Sequence, residues 1–62
     1  MPYVNIRVAG KLKNSQKEEI CSEVTESISR IANKPPETIL IFIDEVDHEN
    51  IAVAGKMLDN PS

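Results

Sequence analysis

The chain has 62 residues, with 40% hydrophobic, 27% charged and 3% aromatic side chains, one Cys and a formal net charge of −3. A chain this short forms one domain at most and buries only about 60% of the surface it exposes when unfolded, so hydrophobic gain and chain ordering nearly cancel. The single Cys excludes an intramolecular disulfide, and no closely spaced Cys/His set exists for a structural zinc, which leaves self-association as the route to stability.

Residues 3 to 8 alternate, with Val4, Ile6 and Val8 on one side and Tyr3, Asn5 and Arg7 on the other, the period of a strand that Gly10 ends. Ser15 followed three residues later by Glu18 makes an S-x-x-E capping box, which predicts a helix from about Gln16. Ile20, Val24, Ile28 and Ile31, flanked by Cys21 and Ala32, form its apolar stripe, and Glu26 and Arg30 are spaced to pair on the wet side. Asn33 and Pro35-Pro36 stop it.

A second strand is expected over Thr38 to Glu45, with Ile39 to Ile43 apolar on both faces. A helix between two strands predicts an α+β unit, a right-handed βαβ crossover with parallel strands. One helix covers one face of such a sheet, so the other, carrying Tyr3, Leu40 and Phe42 or their opposite set, needs a second subunit. Residues 44 to 50 read as a polar turn and Ile51 to Gly55 as an edge strand or short hairpin. The tail from Met57 to Ser62 reads as loosely held, and the whole, residues 1 to 62, as a single domain.

The composition also bounds the partners. The lone Cys21 and the lack of an apolar leader point to a reducing, cytoplasmic setting. The longest apolar run, Ile39 to Ile43, is too short to span a membrane. A pI near 4.9 with only two aromatic side chains argues against nucleic acid. Charge is unevenly placed, however: the first seventeen residues hold Arg7, Lys11, Lys13 and Lys17 and no acid, whereas all ten acids follow. That pattern suits a site for something small and anionic.

Several constellations have a plain reading beside a functional one. Gly10-Lys11 and Gly55-Lys56 lack the Ser/Thr and the upstream Gly of a phosphate loop and read as turns. They sit in a five-residue echo, Val8 to Leu12 and Val53 to Met57, too short to mark a repeat. The cluster Asp44, Glu45, Asp47, His48 and Glu49 reads as a solvated turn rather than a metal site, and Cys21 as an inert thiol beside the helix stripe. Pro2 is the most informative position. Its plain reading is a strand-edge residue that has no ladder bond to donate. Its functional reading is a secondary amine exposed by removal of Met1, a general base if nearby cations and burial disfavour the ammonium form.

Taken together, Met-Pro-Tyr-Val-Asn-Ile-Arg-Val, the helix beginning Ser15-Gln16-Lys17, the run Ile39 to Val46, and Ile51-Ala-Val-Ala-Gly-Lys56 resemble the 4-oxalocrotonate tautomerase family over nearly the whole chain. The resemblance implies a βαβ subunit ending in a small hairpin, a homohexamer built as a trimer of dimers, and sites at subunit contacts. It also implies cofactor-free keto-enol or double-bond tautomerisation with Pro2 as general base.

The chain departs from the family pattern at three places. Leu12, between Lys11 and Lys13, and Leu40 stand where best-known members carry arginines, and Ile51 stands where they carry an aromatic residue. Lys11, Lys13 or Arg7 are then the candidate partners of a substrate carboxylate, without the bidentate grip of an arginine fork. Leu40 and Ile51 are the candidate pocket walls, better matched to a small or apolar enolisable acid such as an arylpyruvate than to a muconate dicarboxylate. Two further readings stay open: a non-catalytic oligomer of the same fold, and a module that binds a small carboxylate without turnover. A dimer also stays open beside the hexamer.

Overall fold

The alternation at the N-terminus becomes strand β1, Tyr3–Ala9, in which Val4, Ile6 and Val8 are half-buried and the residues between them exposed. The computed structural model describes residues 1–58. After β1 come helix α1, Asn14–Ala32, and strand β2, Leu40–Val46, followed by a hairpin of β3, Ala52–Val53, and β4, Lys56–Met57. Single 3-10 turns at Pro36–Thr38 and His48–Asn50 lead into and out of β2. β1 and β2 pair in parallel, in a register running from Tyr3 opposite Leu40 to Ala9 opposite Val46, and the hairpin is a separate antiparallel pair. The architecture is the expected βαβ unit with a short C-terminal hairpin.

Strand periodicity decides which face the helix covers. Glu45 reaches Lys17 of α1, so positions 39, 41, 43 and 45 of the second strand segment face the helix, as do Val4, Ile6 and Val8 beside them. Tyr3, Arg7, Leu40, Phe42 and Asp44 occupy the other face. There Tyr3 and Phe42 remain 70% and 54% exposed, their rings meeting edge to face at 6.3 Å. Of the two alternatives for the uncovered face, the set with Tyr3, Leu40 and Phe42 is the observed one.

Several boundaries differ from expectation. α1 begins at Asn14, two residues before Gln16, and its N-cap is Lys13 rather than Ser15. The Gln16 side chain accepts the Lys13 N–H at 2.9 Å, which is one half of a capping box; Lys has no side-chain acceptor to supply the other half. Ser15 and Glu18 therefore lie inside the helix. Asn33 ends it in the left-handed conformation, φ 57°, donating its N–H to Ser29 O, and Glu26 and Arg30 approach to 3.7 Å. Ile31, placed on the apolar stripe by its spacing, is 71% exposed.

β2 starts later than Thr38 because Thr38 closes a 3-10 turn, its N–H and hydroxyl both donating to Pro35 O. It ends one residue later too, at Val46, so of the two overlapping expectations for Asp44 and Glu45 the strand is the observed one and the turn is not. Met57 is paired in β4, and the Leu58 N–H donates to Ile51 O, so the start of the expected loose tail is held; residues 59–62 lie outside the described residues.

Among the described residues no hydrophobic side chain is fully buried. The chain measures 47 × 24 × 14 Å with a radius of gyration of 15.1 Å, against about 11 Å for a compact chain of this length. Its accessible area of 4921 Å² likewise exceeds the roughly 4,000 Å² that size predicts. The core is thus one layer of helix on one face of a two-stranded sheet, with the opposite face open.

Candidate active site

Pro2 stands one residue before β1, half-buried, with its carbonyl accepting the Leu40 N–H at 3.0 Å. That bond extends the parallel ladder one step and fixes the proline ring at the strand's end. A proline fits here because its nitrogen has no proton to offer the ladder. Met1 precedes it and is 71% exposed; while it is attached, the Pro2 nitrogen is an amide and carries no basic lone pair. The bond brings the Leu40 backbone to Pro2, with the Leu40 side chain on the open face beside Tyr3.

The candidate carboxylate partners lie elsewhere. Arg7 is on the open sheet face, where its guanidinium meets the Asp44 carboxylate at 3.4 Å, both groups more than half exposed. Lys11 and Lys13 follow β1, at the end of the sheet opposite Pro2. Seven residues of strand at about 3.3 Å each put roughly 23 Å between Pro2 and Ala9, before the turn that carries the lysines. Ile51 is at that far end as well: Gly10 N–H donates to Val46 O at 2.8 Å, and Ile51, half-buried, follows the 3-10 turn after β2, its N–H on His48 O. Within one copy, then, the structure joins Pro2 to Leu40, and Lys11 and Lys13 share the far end with Ile51. It does not bring the two groups together.

The turn from Gly10 to Lys13 is firmly held. Gly10 adopts φ 99°, a conformation that suits a residue without Cβ, and an added Cβ would come within 3.4 Å of His48 Nε2. Glu45 accepts the Leu12 N–H at 2.8 Å through one carboxylate oxygen and the Lys17 ammonium at 3.2 Å through the other. These contacts hold the Glu45 carboxyl below its ordinary value of 4.5, the Leu12 backbone bond contributing most, then the Lys17 hydrogen bond, against some desolvation; the charges of Lys17 and Lys11 add to the lowering.

Sequence reasoning placed Glu45 both at the end of the second strand and in a solvated acidic turn, and missed these contacts. The available signal was its period: Ile39, Ile41 and Ile43 lead along one face to a carboxylate at the next inward position. Asp44 points to the other face, so these two acids serve different partners.

Two shallow grooves flank the helix, one lined by Leu12, Ile20 and Val24 among others, one by Cys21, Thr25 and Pro36 among others. Pro2 lines neither of these two.

Comparison with known proteins gives this arrangement its relatives. The family model described as tautomerase enzyme matches residues 2–60. A probable tautomerase of Streptococcus agalactiae serotype III is 44% identical over 57 residues, covering 92% of this chain and 95% of the relative. The 2-hydroxymuconate tautomerase of Bacillus subtilis strain 168 is 33% identical over 60 residues, 97% of each chain. Among solved structures, a homologue of 4-oxalocrotonate tautomerase is similar with a TM-score of 0.88 at 31% identity, covering 98% of this chain and all of that one. The matched region takes in the proline, both long strands, the helix and the hairpin, and on this footing the chain belongs to the tautomerase enzyme family, a family of isomerases.

Proposed function

We propose that the chain interconverts the tautomers of a small enolisable carboxylic acid, a 2-oxo or 2-hydroxy-dienoic acid, with the Pro2 nitrogen as general base once Met1 is removed. The supporting observation is the placement of Pro2: half-buried at the strand end, its carbonyl tied to Leu40 N–H, with an exposed Met1 before it. In this reading the secondary amine takes a proton from a hydroxyl or from the carbon next to the carbonyl and becomes an ammonium. The electron pair moves through the conjugated system, and the ammonium returns the proton to another atom of that system. Proton and charge balance without a cofactor, and the amine is regenerated.

Lys11 and Lys13 of a neighbouring copy then hold the substrate carboxylate, because a chain's own lysines lie at the wrong end of its sheet for its own Pro2. This composite arrangement is what makes self-association part of the function, as a hexamer of three dimers or a dimer. Arg7, already paired with Asp44, is a weaker candidate. Leu40 beside Pro2 and Ile51 at the far end supply apolar walls, which favours an arylpyruvate-like monoacid. The name of the Bacillus subtilis relative makes 2-hydroxymuconate the dicarboxylate to compare with it.

Intact mass of the protein from cells, followed by alkylation with 3-bromopyruvate and peptide mapping to separate Pro2 from Cys21, tests the reading. The expected result is loss of Met1, modification at Pro2 with an apparent pKa well below that of a free secondary amine, and ketonisation of phenylenolpyruvate. Pro2→Ala should lower that activity by about 100-fold or more. Retained Met1, an unreactive Pro2, or a Pro2→Ala variant as active as the parent overturns it.

A further inference from the structure

We infer that Glu45 is a positioning residue for carboxylate capture: by holding the Leu12 amide it fixes the turn that carries Lys11 and Lys13, and it acts on the substrate only through those two lysines. The inference rests on the reading above for the role of the lysines, and goes beyond it in assigning what holds them.

Ile39, just before β2, and Ile41 and Ile43 within it lie on the helix-facing side, and burial of that face calls for an apolar residue at the next inward position. A carboxylate stands there instead, opposite Val8 of β1. Both of its oxygens are engaged, one by Leu12 N–H at 2.8 Å and the other by the Lys17 ammonium at 3.2 Å. The next amide along, Lys13 N–H, goes to Gln16 Oε1 at 2.9 Å, and Gly10 N–H goes to Val46 O at 2.8 Å. A segment with no regular secondary structure is therefore pinned at three of its four amides.

The consequence is directional. Leu12 turns inward and is half-buried, while Lys11 and Lys13 on either side of it are exposed. Two ammonium groups are thus presented as a pair on a fixed backbone, and only their side-chain freedom is left to lose when an anion arrives. A carboxylate so close to an anion site would ordinarily repel the ligand, but Lys17 and the Leu12 N–H offset its charge. Without Glu45 the turn keeps its two outer bonds and loses the central one, so the lysines must be ordered at the moment of binding.

The test compares Glu45→Ala and Glu45→Gln in the parent and in a Lys11→Ala/Lys13→Ala background, using ketonisation of phenylenolpyruvate and the binding of trans-cinnamate, a flat monocarboxylate that does not enolise. In the parent, Glu45→Ala should raise KM and the cinnamate Kd about tenfold with kcat changed less than about threefold. Glu45→Gln, which keeps an acceptor for Leu12 but not the Lys17 ion pair, should raise both about threefold and serves alone if the Ala variant fails to assemble. In the Lys11→Ala/Lys13→Ala background the same substitutions should add nothing.

A fall in kcat at unchanged KM, or an undiminished effect in the Lys11→Ala/Lys13→Ala background, overturns the inference. A parent protein that binds cinnamate with this dependence on Glu45 yet does not turn over phenylenolpyruvate sinks the Pro2 chemistry and leaves Glu45 standing. Turnover that depends on Pro2 but is indifferent to Glu45 does the reverse, and a parent that neither binds nor turns over overturns both.

Discussion

At the scale of single residues the hairpin carries the strain. Ala54 and Gly55 adopt φ values of 53° and 81°, and they form the two-residue connection between β3 and β4. Two consecutive positive φ values are those of a type I′ turn, which matches the twist of paired strands but penalises a side chain at the first position. Gly55 was legible as a turn residue; Ala54 was not, since Ala has no left-handed preference to read. Replacing Ala54 with Gly or Asn should stabilise the protein by about 1 kcal/mol, measured as a raised thermal midpoint. An unchanged or lowered midpoint would show that the strain is not felt in the assembled protein.

At the scale of elements the first strand and the helix were legible through their periods and the second strand through its apolar run, and both helix ends were located to within two residues. What was misassigned was the cause of the helix start. A local S-x-x-E pattern fits Ser15 and Glu18, but the N-cap Lys13 N–H goes to Gln16, and the residue before it, Leu12, is held by Glu45, 33 positions away. A partner that distant is invisible to any pattern confined to a window. The same contact makes a prediction about acid. Because the folded Glu45 carboxyl is held below 4.5, its contribution to stability is full above that value and is lost as pH falls through the lowered one. The difference in thermal midpoint between the parent and Glu45→Gln should therefore shrink on going from about pH 6 to about pH 3. A constant difference across that range would mean that the charge of Glu45 does not support the fold.

At the scale of the whole molecule, dimensions speak for assembly. Pro2, as the proposed base, was legible from its position and from family resemblance; the distance separating it from the lysines was not, because alternation gives faces and not ends. A chain 47 Å long and 14 Å thick, with Tyr3 and Phe42 exposed on one sheet face, has a second surface to bury. Sedimentation at micromolar concentration should show an oligomer. Phe42→Glu should shift it to smaller species and lower the midpoint, since each buried Phe is worth about 1.5–3 kcal/mol and the substitution adds an unpaired charge. A folded monomer at that concentration would remove the basis for a site shared between copies.

A parallel sheet of only two strands has one further consequence. Among the described residues each of its strands has a neighbour on one side alone, so a newly made copy presents two rows of unpaired backbone N–H and C=O groups next to the apolar Ile39 to Ile43 run. Such edges are templates for indiscriminate strand addition. Until a copy meets another it carries those open edges, and the charges on its uncovered face, Arg7 and Asp44, are paired with each other across the two strands. Lower expression temperature should therefore raise the share of assembled over aggregated protein.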